Sequence, residues 1–192
     1  MTRLFLDEHA WTTLEAAMAR IIPTDADPGA PEAGTVDFVD RYLAGPAYVY
    51  ADPSGGEFLR LDERRSVAWM RRIEVLRERY HNGVAELDRR ANELRRTDFS
   101  ELSEEDQDLV LGALEVEELG PPDTRDPVMQ RPVSDRHLGF FETLVLHTRQ
   151  GFFSDPAYGG NRGRAGWRLV AFPGPTLPAD ANEEMPGPRD NA

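Results

Sequence analysis

The sequence contains no cysteine and no lysine, although it runs to 192 residues and carries 22 arginines. Without cysteine the chain can form no disulfide, no thiolate zinc or iron–sulfur site, no thioether-attached haem and no cysteine nucleophile. Without lysine it has no Schiff-base residue and no P-loop lysine. Several large classes of enzyme are therefore excluded before any motif is considered.

Positive charge is also scarce relative to negative charge. The chain has 35 acidic against 22 basic side chains, a formal net charge of −13. This balance disfavours nucleic acid and anionic membranes, because both need a basic face. The longest apolar runs fall far short of the roughly 20 residues that span a bilayer. We expect no nucleic-acid partner and no membrane insertion.

Apolar residues recur at steps of three and four between prolines and glycines, a pattern that predicts helices. The predicted helices are 7–22 with Asp7 as N-cap, 35–43 with Thr35 as N-cap, 69–94 as one bent helix or two meeting at Gly83, 103–119 with Ser103 as N-cap, and 134–150 with Ser134 as N-cap and Gly151 as C-cap.

Two stretches between these helices are rich in proline or glycine. Residues 23–34 are predicted to be a loop, and 46–60 a loop that tucks aromatic side chains onto the core. Residues 167–172 are the one candidate for a short extended piece. We expect an all-α fold, an irregular helical bundle with long proline- and glycine-rich loops and an extended C-terminal segment. It forms one domain over residues 1–175, and 176–192 are expected to be a mobile or partner-bound tail.

The candidates for chemistry are weak. The four histidines are His9, His81, His137 and His147, and none forms the His-x-x-x-His spacing that chelates a metal on a helix. Residues 159–166 are rich in glycine and arginine and could cradle a phosphate, but no strand precedes them and no lysine lies within them. A structural turn or a contact loop is the favoured interpretation. The sequence predicts no catalytic residue, no cofactor and no metal site.

Two widely separated blocks carry a recognisable pattern of residues. The first is Arg-Ile-Ile-Pro-Thr-Asp at 20–25, followed by Asp-Phe-Val-Asp-Arg-Tyr-Leu at 37–43. The second is Asp-Pro-Ala-Tyr-Gly-Gly-Asn at 155–161, followed by Gly-Trp-Arg at 166–168 and Phe-Pro-Gly-Pro at 172–175. In this order they resemble the opening and closing signatures of the gluconate 2-dehydrogenase subunit 3 family. The resemblance covers nearly the whole chain.

The resemblance implies a small non-catalytic subunit. Such a subunit binds and stabilises the large subunit of an FAD-dependent sugar or sugar-acid dehydrogenase of the glucose–methanol–choline type, and in many members supports its folding or export. FAD is then expected in the large subunit and not in this chain. Residues 1–9 lack an apolar signal region and a twin-arginine start. We therefore expect a cytoplasmic location, or a periplasmic or extracellular one if the chain is exported with its partner.

The closing block is the candidate partner interface. Its tight turns are expected to present aromatic and amide groups at the surface, where such groups anchor interfaces. The candidate interface residues are Asp155, Tyr158, Asn161, Trp167, Phe172 and Pro173. The alternative is that Tyr158 and Trp167 plug the helical bundle.

Two other functions stay open at this point. One is a stand-alone helical sugar-modifying enzyme that uses Asp155, Tyr158 and His147 around a small sugar. The other is a generic acidic protein-interaction domain.

Overall fold

The computed structural model describes residues 3–52, 58–120 and 138–174. Within these ranges the chain folds into α-helices and short 3-10 turns, and its β-pairing is limited to an isolated antiparallel bridge between Ala51 and Phe58. The α-helices are α1 (Glu8–Ile21), α2 (Ala30–Ala33), α3 (Thr35–Ala44), α4 (Glu63–Arg95), α5 (Glu104–Leu119), α6 (Phe140–Phe153) and α7 (Ala165–Leu169). The all-α prediction is confirmed. The predicted tail, 176–192, lies outside the described residues.

Helix α1 begins and ends as predicted. The Asp7 carboxylate accepts a hydrogen bond from the Ala10 N–H and so satisfies a free amide of the first turn. Pro23 follows the C-cap residue Ile22, and a proline cannot continue a helix. Leu14 and Met18 lie one turn apart on the buried face.

The prediction of an uninterrupted loop over 23–34 is wrong, because α2 forms within it. Pro31 stands in the first turn of α2, where its missing N–H costs nothing. The Glu32 carboxylate accepts hydrogen bonds from the Gly29 N–H and the Thr24 hydroxyl, which closes the loop onto the helix. Thr35 is the first residue of α3 and not its N-cap, since Gly34 holds that position with φ of +66°.

Helix α4 is one continuous helix of 33 residues that passes through Gly83. The glycine is needed there for packing, since a Cβ at this position would overlap the Phe140 ring from α6. The aromatic ring thus fills the space that a side chain at position 83 would need. The unbroken course of α4 decides between the two alternatives that the periodicity left open, and the contact with Phe140 explains why position 83 is glycine.

Helices α5 and α6 are joined at their ends by Glu118. Ser103 caps α5 as predicted, by accepting from the Asp106 N–H. Helix α6 begins at Phe140, and Ser134, its predicted N-cap, lies outside the described residues. The Glu118 carboxylate accepts from the first-turn N–H groups of Phe141 and Glu142. A cap supplied by another helix cannot be detected from the local sequence.

The predicted C-cap of α6 at Gly151 and the predicted extended piece at 167–172 are both wrong. Helix α6 continues through Gly151 to Phe153, and α7 occupies Ala165–Leu169. Gly151 allows close packing on α3 rather than termination, because a Cβ there would lie 3.1 Å from both the Thr35 carbonyl oxygen and the Phe38 Cβ. A Cβ at Gly160 would in turn overlap the Gly151 carbonyl oxygen. Two segments therefore meet there backbone to backbone.

The main core lies between α1, α3, α4, α5 and α6. Each fully buried leucine contributes roughly 1.5–3 kcal/mol relative to an exposed one. Completely buried apolar side chains at its centre are Leu14, Met18, Val39, Leu43, Leu87, Phe99 and Leu144.

The N-terminal segment is tied to this core by Asp40 of α3. The Asp40 carboxylate is buried and accepts three hydrogen bonds, at 2.7–2.9 Å, from the backbone N–H groups of Leu4, Phe5 and Leu6. Hydrogen bonds to a charged acceptor are about twice as strong as neutral ones, so the buried charge is well compensated. No helix in the described ranges has the length and hydropathy needed to cross a membrane.

Candidate partner interface

The two sequence blocks that carry the family pattern lie against each other in the fold. Arg162 of the closing block donates a 2.7 Å hydrogen bond to the Asp37 carboxylate of α3. Arg41 of α3 donates to the backbone carbonyl of Ala157 at 2.8 Å. The closing block is therefore fixed to α3 at two points.

Asp37 and Glu15 place a pair of carboxyl groups beside this junction. Burial raises the pKa of Asp37 above its ordinary value, and the Arg162 guanidinium opposes that rise. Burial also raises the pKa of Glu15, and the negative charge of Asp37 adds to the rise. Arg162 thus opposes the rise in pKa of both carboxyl groups, and Arg41 also opposes it at Asp37.

Asn161 organises the closing block from inside. Its amide nitrogen donates to the Ser154 carbonyl at 2.8 Å, and its side-chain oxygen accepts from the Gly166 N–H at 2.9 Å. Its φ of +49° is a left-handed conformation that asparagine tolerates better than most residues. Gly160 packs on Gly151, and Gly166 packs on the Phe152 carbonyl. These contacts give residues 159–166 a packing role, as the turn interpretation predicts.

The predicted surface position is wrong for two of the six candidate interface residues. Asn161 is 0% exposed and Trp167 only 6%, and the Trp167 indole donates to the Phe153 carbonyl at 2.7 Å. Both side chains are needed inside, because they satisfy buried backbone groups. Trp167 therefore plugs the fold, as the alternative interpretation holds.

The other four candidates keep access to solvent. Phe172 and Pro173 are exposed, and Asp155 and Tyr158 are half-buried. The Asp155 carboxylate accepts from the Ala157 N–H, and the Tyr158 hydroxyl accepts from the Ala51 N–H. Their part in an interface stays a prediction.

A group of large apolar side chains around Trp167 is left exposed, and we call it the apolar edge. The Phe172 ring packs edge-on against the Trp167 indole at 5.2 Å, and Phe153 supplies the carbonyl that this indole bonds. The members of the apolar edge are Phe153 (41% exposed), Leu169 (52%), Val170 (56%) and Phe172 (46%). Sequence analysis identified Phe172 alone. The pair Phe152-Phe153 carried a signal for a second member, since consecutive helical residues cannot both face one core.

Beside the apolar edge lies a cleft of about 660 Å³ between α3, α4 and α6, which we call the aromatic cleft. The Trp69 ring meets Tyr42 and Tyr50 edge-on, and the Arg72 guanidinium lies 4.9 Å above it. The cleft is lined by Phe38, Tyr42, Tyr48, Val49, Tyr50, Trp69, Arg72, Leu146, Arg149, Gln150, Phe153, Ser154 and Tyr158. This set has no carboxylate, although the chain has 35.

The trio considered for a stand-alone enzyme is engaged in structural contacts. His147 is buried, and its Nδ1 shares a 2.9 Å hydrogen bond with the Tyr80 hydroxyl while the two rings stack. Asp155 and Tyr158 bond backbone groups instead, as described above. In the described part of the chain, no group of three histidine or acidic side chains is placed to hold a metal ion.

Comparison with known proteins agrees with the resemblance that the two blocks carry. The family described as gluconate 2-dehydrogenase subunit 3 matches residues 8–174, which include every described helix and both blocks apart from the final Pro175. Neither the curated proteins nor the solved structures include a significant match to this sequence. The match extends over most of the 192 residues, so the chain belongs to the gluconate 2-dehydrogenase subunit 3 family.

Proposed function

We propose that this chain is the non-catalytic small subunit of an FAD-dependent sugar or sugar-acid dehydrogenase of the glucose–methanol–choline type. It binds the large catalytic subunit, stabilises it and supports its folding or export. The observation that carries the proposal is the exposed apolar edge. It lies on a chain whose family is named for a dehydrogenase subunit.

The apolar edge is suited to binding because its support is rigid. Trp167 is buried beneath it and bonded to the end of α6, and Asn161 and Arg162 fix the preceding turn. Side chains held in place lose little conformational entropy when a partner covers them, so more of the burial energy contributes to affinity. Large exposed apolar patches on soluble chains are typical of interaction sites.

The redox chemistry is assigned to the large subunit. Residues 159–166 are the phosphate-binding candidate of this chain, and their Gly160 and Gly166 are packed against α6. The Gly166 N–H, which an anion would need, is already bonded to Asn161. These contacts favour a partner that holds FAD and abstracts hydride, with this chain as its support.

Purification through a tag on the full-length chain tests the proposal. We expect a large flavoprotein to be retained, and we expect it to be poorly soluble or flavin-free when produced without this chain. A large subunit that is active and fully loaded with FAD on its own would contradict the proposed role.

Substitutions in the apolar edge test the surface itself. The triple variant Leu169→Ser, Val170→Ser, Phe172→Ser removes three exposed apolar side chains and is expected to weaken binding of the large subunit roughly 100-fold. The matched control is Leu109→Ser with Val116→Ser, which removes exposed apolar side chains from α5. Equal loss of affinity in both variants, or an unchanged affinity in the triple variant, would place the interface elsewhere.

A further inference from the structure

We propose that the apolar edge binds a surface of the large subunit that has apolar residues at its centre and carboxylates at its margin. The carboxylates pair with Arg149, Arg164 and Arg168, which we call the arginine rim. This inference rests on the proposed function and deepens it, because it states the chemistry of the partner surface.

Two members of the arginine rim stand beside the indole that supports the apolar edge. The Arg164 guanidinium carbon lies 5.7 Å from the centre of the Trp167 ring, and Phe172 meets the same ring edge-on at 5.2 Å. Arg168 follows Trp167 directly in α7, and its Nη1 donates to the Gly163 carbonyl. Both arginines are exposed, so they place positive charge at the margin of the apolar edge.

The third member of the rim comes from α6. Arg149 lies four residues before Phe153, a spacing that puts the two side chains next to each other on one face of a helix. Both of them line the aromatic cleft, and Arg149 is exposed. The apolar edge therefore has arginines from two separate segments beside it.

None of the three guanidinium groups forms an ion pair with a carboxylate in the described part of the chain. Elsewhere in the fold, Arg20 and Arg95 each hold an aspartate by two hydrogen bonds. The difference reflects a local lack of acid, since residues 156–174 contain no aspartate or glutamate and the lining of the aromatic cleft contains none either. Asp155, next to this stretch, accepts from the Ala157 N–H.

This arrangement indicates the kind of surface that fits. When another protein covers the apolar edge, the arginine rim lies at the border of the contact, where guanidinium groups can bind carboxylates by two parallel hydrogen bonds. Charge pairs at the border of an interface fix the register of the partners and speed their association. A partner with a basic margin would be repelled at the same positions.

Two other occupants fit the charges less well. In a symmetric pair of this chain the same patch meets itself, so one arginine rim would face another. An anionic membrane would attract the rim, but it would repel a chain of net charge −13. A carboxylate margin on the large subunit meets the rim locally and is the occupant that we infer.

Charge reversal in the complex with the large subunit tests the proposal. Arg164→Glu with Arg168→Glu is expected to weaken binding about 30-fold at roughly 0.05 M salt, and the loss should shrink to about 3-fold at roughly 1 M salt, where charges are screened. Arg164→Lys with Arg168→Lys keeps both charges and should lose no more than about 3-fold at low salt. The matched control is Arg71→Glu with Arg96→Glu, which makes the same change in net charge at exposed positions on α4 and at its C-cap.

Melting temperatures of the isolated variants show whether each one is folded. If the double charge reversal unfolds the chain, Arg149→Glu replaces it and should show a smaller loss of affinity that is likewise reduced by salt. A loss that salt does not reduce, or one that the control reproduces, would overturn the proposal.

The same measurements separate this inference from the proposed function. If the wild-type chain binds the large subunit and the reversal has no effect, this inference fails and the proposed function stands. If the wild-type chain binds no large subunit, both fail. Self-association of the wild-type chain that the reversal strengthens, or binding to vesicles of phosphatidylglycerol and phosphatidylethanolamine that the reversal abolishes, would assign the surface to another occupant and overturn the proposal.

Discussion

Arg162 and Asp37 are separated by 125 positions in the sequence, yet the Arg162 Nη2 lies 2.7 Å from the Asp37 Oδ2. The Asp37 side chain is almost buried. A Cβ at Gly34 would lie only 2.9 Å from both of these atoms, so the residue before α3 leaves room for the pair. The pair joins the beginning and the end of the matched region.

Arg162→Ala is expected to lower the free energy of unfolding at pH 7 by about 1–3 kcal/mol, because a buried carboxylate loses its charged partner. Loss of the guanidinium should raise the pKa of Asp37 further above its ordinary 3.8. A carboxyl group whose folded pKa is raised stabilises the fold below its unfolded pKa, and that contribution is lost as pH rises through the folded pKa. The defect should therefore grow from about pH 4 to pH 7.

Chemical denaturation at a series of pH values measures this effect. The matched control is Arg71→Ala, which removes the same charge from an exposed position on α4. A destabilisation of Arg162→Ala that does not change with pH, or one that Arg71→Ala reproduces, would argue against a coupling between Arg162 and Asp37.

Gly160→Ala should destabilise the fold, since its new methyl group would overlap the Gly151 carbonyl oxygen. The contact is with backbone, which cannot rotate away, so we expect a loss of about 1–3 kcal/mol. Gly112→Ala is the control, because a Cβ there meets nothing within 4 Å on α5. Alanine in a helix interior should stabilise it by roughly 0.5–1 kcal/mol. Melting temperatures that move in the same direction would contradict this interpretation.

Glu86 should stabilise the fold near neutral pH, and this stabilisation should be lost in acid. Hydrogen bonds from Arg89 and Arg90 lower the pKa of Glu86 to about 2 from its ordinary 4.5. A carboxyl group with a lowered folded pKa contributes stability above its unfolded pKa, and loses it as pH falls through the folded pKa. The side chain is 32% exposed, so solvent screening limits the contribution to about 1 kcal/mol.

Glu86→Gln is expected to lower the free energy of unfolding at pH 7 and to have little effect near pH 2. Glu78→Gln on the same helix is the control, because Glu78 is exposed. Denaturation curves at the two pH values decide the matter. A Glu86→Gln defect that persists undiminished near pH 2 would mean that the glutamate acts through packing and not through its charge.

Local signals in the sequence were sufficient for helices that carry their own caps. Asp7 and Ser103 bond amides within three residues of themselves, so spacing and residue type predict both helix starts. Local signals were insufficient where a residue distant in the sequence determines where a helix begins or why a position must be glycine. Glu118 caps α6 from α5, and Phe140 fills the space above Gly83. Both interactions cross between helices and leave no periodic trace.

The same distinction applies to the candidate interface residues, because contacts between distant segments determine which of them are buried. Residue type alone favoured Asn161 and Trp167 as surface anchors, but both satisfy buried backbone groups. Burial of these two depends on how closely α6 approaches residues 160–166, and that approach depends on Gly151 and Gly160 together. Leu169 is the last residue of α7 and Val170 is its C-cap residue, and both are exposed because this five-residue helix turns Ala165, Gly166 and Trp167 inward.

The anchoring of residues 4–6 on Asp40 has an evolutionary consequence. Asp40 contacts these residues through their main-chain N–H groups, so the anchor depends on three amides and not on which side chains they carry. Substitutions at these positions leave the anchor intact unless they introduce proline, which lacks the N–H. Relatives could therefore dock their N-terminal segments in the same place with unrelated sequences, as long as the aspartate on α3 is retained.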